Sequence, residues 1–239
     1  MKIGITEQGD AGLDLSWVKK LPNVDAAILI TKNLTKKCMD AILQAYKDGH
    51  KLILHVGCTG WGNSPVEPNV PHLTTQLDHT MELIQAGFPI SNVVLRIDPI
   101  IPTSNGLQAV KNVLDYAFQI HLLPEARVRI SILDEYKHVK RRLQNHGYAS
   151  FYPGNNFQAS WQEIQAVTNL LKTYDLQYHT CAEPKLNSSE GIYIHSGCIS
   201  TIDLDILGIP KPDTTTVNPQ NRFGCLCLNC KTELLSNKC

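Results

Sequence analysis

A chain of 239 residues with 43% apolar side chains is long enough to bury one large core or two small ones, and too apolar to be disordered. Its 22 basic residues balance 22 acidic ones, so no global field favours nucleic acid, a membrane surface or an acidic partner. No apolar run approaches the ~18 residues needed to cross a bilayer, and the N-terminus opens into a strand-like segment with no secretory pattern, so the chain is expected to be cytoplasmic and to have no membrane partner.

Short β-rich runs alternate along the chain with longer segments of helical character. Strands are expected at residues 2–6, 26–31, 51–57, 92–98, 127–133 and 176–181, with a further one at 191–195. Helices are expected at 35–47, 72–86, 106–121, 135–145 and 161–174, with a short helix near 203–207; 10–20 is too short to form a regular one. The basic run from Lys137 to Arg142 lies on one of these helices and reads first as a solvated face; a nucleic-acid-derived substrate would need a patch of this kind. The spacing predicts an α/β protein, a parallel (β/α) barrel, TIM-like and complete or open, with about six to seven strands over residues 1–208. Prolines and threonines after Gly208 mark a linker, and residues 209–239 end in a cysteine-rich tail.

Side chains alternate across a strand, so each strand can be divided into two faces. Leu52, Leu54 and Val56 turn toward the helices and leave Ile53 and His55 facing inward. Val93, Leu95 and Ile97 leave Val94, Arg96 and Asp98 inward; Val128, Ile130 and Ile132 leave Arg129, Ser131 and Leu133; the next strand offers Gln177, His179, Cys181 and Glu183. Polar groups buried toward the C-terminal ends of strands are costly unless paired or functional, and in a barrel that end carries the chemistry.

Eight cysteines in a chain read as cytoplasmic favour metal or redox use over disulfides. Cys225, Cys227 and Cys230, with Cys239 as a fourth, can converge on zinc or on an iron–sulfur cluster, because thiolates two or three residues apart meet when the backbone turns back. Arg96 and Asp98 sit two apart on one strand face, able to hold a polar ligand or to pair with each other. Thr59, Gly60, Trp61 and Gly62, followed by Glu67 to Pro71, form a long loop after the strand bearing His55, where the backbone could approach a ligand.

Taken together, Thr31-Lys32-Asn33, Thr59 to Gly62, Glu67 to Pro71, Arg96 to Pro102, Ser131 to Lys137, Thr180 to Glu183, Gly197 to Ile199, and Asn221-Arg222 leading into Cys225 and Cys227 resemble domain of unknown function 1848. That family is a relative of radical-SAM and spore-photolyase-like proteins. The resemblance implies a barrel with a C-terminal iron–sulfur site in place of the cysteine motif that radical-SAM relatives carry in the first loop. The family's tail continues past the position of Cys239 with two more cysteines, and this sequence stops there.

Three functions follow as expectations. The first is an iron–sulfur, radical-SAM-like enzyme whose tail cysteines hold the cluster over a mouth lined by His55, Arg96, Asp98 and Glu183. Thr59, Gly60, Trp61, Gly62, Asn33 and Ser131 would help hold S-adenosylmethionine and a small-molecule or nucleic-acid-derived substrate. The second is a divalent-metal hydrolase or lyase using His55, Asp98, His179, Glu183 and His195. The third is a non-catalytic binding protein with a structural zinc tail.

Overall fold

Eight strands form one parallel sheet in the computed structural model, which describes residues 1–7, 9–145, 147, 149–152, 156–180, 183–186, 191–210 and 231–235. They are β1 (Lys2–Ile5), β2 (Ala26–Thr31), β3 (Leu52–Gly57), β4 (Val93–Ile100), β5 (Arg127–Ile132), β6 (Tyr178–Thr180), β7 (Tyr193–His195) and β8 (Lys231–Leu234). The spatial order is β7-β6-β5-β4-β3-β2-β1-β8. From β7 to β1 it follows the chain without reversal, and β8 is added beyond β1; β7 and β8 are the two edges, so the sheet is not closed.

The helices are α1 (Trp17–Lys20), α2 (Lys36–Lys47), α3 (Leu73–Gln85), α4 (Ser104–Gln119), α5 (Lys137–Asn145), α6 (Trp161–Leu171) and α7 (Thr201–Ile206). Their starts are fixed by side chains that accept otherwise unpaired amides: Thr35 from Cys38, Thr103 from Gly106, and capping boxes at Ser160–Glu163 and Ser200–Asp203.

The two-residue alternation of the strands separates two cores. One buries Leu29, Leu54, Leu95 and Ile130 against Met39 and Ile42 of α2, Leu77 of α3, Val113 and Leu114 of α4 and Val167 of α6. The other face carries Ile3, Ile5, Ala26, Ile28, Ile53 and Val94, and it packs on Cys198, Ile199, Leu204, Leu207 and Ile209, in and around α7. We call this the inner face. The Arg127 guanidinium on β5 reaches the Asp203 carboxylate of α7 at 2.6 Å, pinning the helix there.

Several details depart from the sequence reading. Residues 231–234, assigned to the tail, form β8 and pair with β1 in parallel, giving eight strands; a four-residue run after a cysteine cluster carries too little alternation to announce itself. Leu133 was expected to face inward, but β5 ends at Ile132 and Leu133 packs in the outer core. Between residues 10 and 23 only α1 and a 3₁₀ turn form, around a fully buried Trp17 whose Nε1–H donates to the Ala11 carbonyl at 3.0 Å. Cys181, Cys225, Cys227, Cys230 and Cys239 lie outside the described residues.

Candidate functional site

The inner face changes character along the strands. Ile53 gives way to His55 on β3, Val94 to Arg96 and Asp98 on β4, and β5 and β6 bring Arg129, Ser131 and His179 beside them. Hydrogen-bonding register sets Gly57, Arg96, Arg129 and His179 level across four adjacent strands. The ladder between β4 and β5 shifts register between Ile97 and Ile100, and Asp98 lies within that irregular stretch, where a strand can re-aim a side chain.

Near the rim, Arg96 donates from Nε to Asp98 Oδ2 at 2.7 Å, and its Nη2 pairs with the same oxygen at 2.5 Å. Ser131 Oγ donates to the other oxygen, Oδ1. Burial by itself would raise the Asp98 pKa, but the Arg96 charge and the hydrogen bonds from Ser131 and Arg96 outweigh it and hold the carboxyl down at about 2. Asp98 is therefore a carboxylate at neutral pH.

Deeper, His55 is fully buried with Nε2 at 3.4 Å from Arg129 Nη1. A guanidinium only donates, so Nε2 accepts and the ring proton sits on Nδ1, which has no partner among the described residues. Burial and then the charges of Arg129 and Arg96 push His55 well below the ordinary histidine range, leaving a neutral imidazole. Arg129 Nη2 donates to Ser196 Oγ at 3.4 Å, and that oxygen lies 3.2 Å from His179 Nδ1. Burial first, and Arg129 and Arg127 after it, bring His179 down to about 4.

The loops above this face are tied together. Asp10 accepts from Thr31 Oγ1 and from the Lys32 amide, both at 2.6 Å, while Glu67 takes Lys32 Nζ on one oxygen and the Thr59 hydroxyl on the other. Gly60, at φ 81°, presses on the Ala109 carbonyl of α4, 2.6 Å from where a Cβ would be; at Gly62 the Pro71 carbonyl would be 1.8 Å away. Both glycines thus permit close packing of the loop on the protein's own backbone. Asn33 is held through its amide, which donates to Thr31 Oγ1 at 2.9 Å. Trp61 lines a largely apolar cavity of about 240 Å³ with Val66, Pro99, Leu133 and Phe151, and Glu67 and Arg142 line it too. A second cavity, about 380 Å³, runs beside Leu133, Asp134, Glu183 and Lys185.

The structure thus gathers His55, Arg96, Asp98 and Ser131 on one face. Glu183 lies at the C-terminal end of β5, where its Oε1 accepts the Ile132 amide at 2.8 Å. The sequence reading faced Arg129 inward without assigning it a role, although a charged residue in the apolar run VRISI was a signal. It gave no hint of Ser196.

Among the described residues the cysteines belong to no group that could hold a metal ion. Cys38, Cys58 and Cys198 are buried, and burial pushes the Cys38 and Cys58 thiols up to about 12, keeping them protonated. Among the described residues no three His, Cys, Asp or Glu side chains converge to hold a metal ion, so the set His55, Asp98, His179, Glu183 and His195 is not assembled as one centre. No helix among the described residues is long and apolar enough to cross a membrane.

The family model described as Domain of unknown function (DUF1848) matches residues 16–232. No curated protein matches the chain.

Proposed function

The chain belongs to the DUF1848 family, and on that premise we propose that it is a cytoplasmic iron–sulfur enzyme of the radical-SAM type, acting at the C-terminal ends of its strands. The observation that carries this reading is the polarity gradient of the inner face: apolar under α7, then His55, Arg96, Asp98, Arg129, Ser131 and His179 from four neighbouring strands. Burying that many polar groups without a ligand to meet them would be costly. An unreversed strand order flanked by β7 and β8 supports an open (β/α) barrel, in which this end carries the chemistry.

In this reading Cys225, Cys227, Cys230 and Cys239 supply the cluster's thiolates, being the four cysteines that stand close together in the sequence. The chemistry a cluster would supply when bound is one-electron reduction of the sulfonium of S-adenosylmethionine. The chain's own groups would bind and orient it: the Arg96 guanidinium would take the cofactor's carboxylate and Asp98 its ammonium, beside the loops that Asp10 and Glu67 tie together. A small molecule or nucleic-acid-derived group is the substrate.

The test is S-adenosylmethionine binding to the anaerobically reconstituted chain by equilibrium dialysis. Arg96→Ala removes a charge-assisted bond worth about 1.5–3 kcal/mol, so dissociation constants roughly 10- to 100-fold higher are expected. Ser131 still holds Asp98 in place in that variant. A parent chain that does not bind, or a variant that binds equally well, would sink the reading.

A further inference from the structure

Three arginines reach the inner face from β4 and β5, and two have carboxylates: Arg96 pairs with Asp98 at 2.5 Å and Arg127 with Asp203 at 2.6 Å. Arg129 has none among the described residues. Its side chain is the most enclosed of the three, in a residue only 1% exposed. Among the described residues it commits two of its five N–H donors, each at 3.4 Å and each to a neutral acceptor, His55 Nε2 and Ser196 Oγ, while Nε has no partner there. The Nδ1–H of His55 is a further donor with no partner among the described residues.

Buried lysine or histidine can relieve this situation by losing a proton. Arginine cannot, because its pKa is too high, so a guanidinium out of water must be neutralised by something else. Its planar fork matches two oxygens of one anion.

We infer that Arg129 anchors an oxyanion site on the inner face, taking a single carboxylate or phosphate group with the Ser196 hydroxyl beside it. The consequence for the substrate rests on the reading of this face as the reactive site: the molecule that reacts there carries such a group and seats it below the Arg96–Asp98 pair. The anion binding itself does not require a cluster.

The test uses the full chain as purified, with chloride as the only anion at the start. Inorganic phosphate and, separately, acetate are titrated at constant ionic strength while the thermal midpoint is followed, and phosphate binding is also measured directly by equilibrium dialysis. The parent should show a saturable rise of about 2–4 °C with at least one of the two anions. A response to phosphate alone assigns a phosphoryl group, and one to acetate alone a carboxylate. Arg129→Gln should abolish the rise and, in chloride, melt no lower than the parent, because it removes an uncompensated charge. Arg141→Gln, on the exposed side of α5, should keep the full response. A purely structural arginine would instead give a variant that melts lower in every buffer and a parent indifferent to both anions. That result overturns the inference, as does a saturable response surviving in Arg129→Gln. Should the variant not fold, the dialysis and titrations on the parent decide. Saturable anion binding by a chain without iron would leave this inference standing and remove the iron–sulfur reading.

Discussion

Asp203→Ala is expected to lower the free energy of unfolding by about 3–5 kcal/mol, the range for breaking a buried ion pair by removing one partner. Asp203 is fully buried and serves two structures at once. Its Oδ1 meets Arg127 at 2.6 Å, and its Oδ2 accepts from the Ser200 amide at 2.9 Å and hydroxyl at 2.8 Å, closing the cap of α7. Removing the carboxylate leaves the half-buried Arg127 charge without its partner and takes away one half of the capping box of α7. Domains have only about 5–15 kcal/mol to lose, so the effect should be plain in urea unfolding. Replacing both partners, Arg127→Met with Asp203→Leu, should recover most of the loss, since no charge is left unpaired. A change below about 1 kcal/mol in Asp203→Ala would mean that α7 is not anchored to the sheet in this way.

Serine at Cys225, Cys227 or Cys230 should remove most of the bound metal, because an alcohol stays protonated where the ligand must be a thiolate. Cys58→Ser serves as the contrasting variant. Its thiol is buried and pushed up to about 12, chiefly by burial, so its metal content should match the parent's even if stability falls. Metal content unchanged in all three tail variants would remove the cysteine-rich segment from the account.

The repeated alternation of strands and helices was legible because β2 and β3 are nearly continuous apolar runs, β4 and β5 alternate apolar with polar residues, and each major helix is longer and amphipathic. Facing could be read from period two alone, which put His55, Arg96, Asp98, Arg129, Ser131 and His179 on one side. Two things were not legible. β8 pairs with a strand more than 220 residues away, and nothing local in Lys231–Leu234 signals that partner. The electrostatic pairing was also hidden: Arg127 and Arg129 are two residues apart on the same face, yet one finds Asp203 and the other finds only Ser196 and His55. Which arginine is left without a countercharge depends on where α7 lands. The bond from the Ile132 amide to Glu183 was equally hidden, because it joins residues 51 apart in the chain.

The most direct test of the iron–sulfur account is the iron and acid-labile sulfide content of the full chain, purified without oxygen and read together with its ultraviolet–visible spectrum. About four iron and four sulfide per chain, with a broad charge-transfer band that bleaches on reduction, is the expected result. A colourless protein carrying about one zinc and no sulfide would contradict it and leave a structural tail in place of a redox centre.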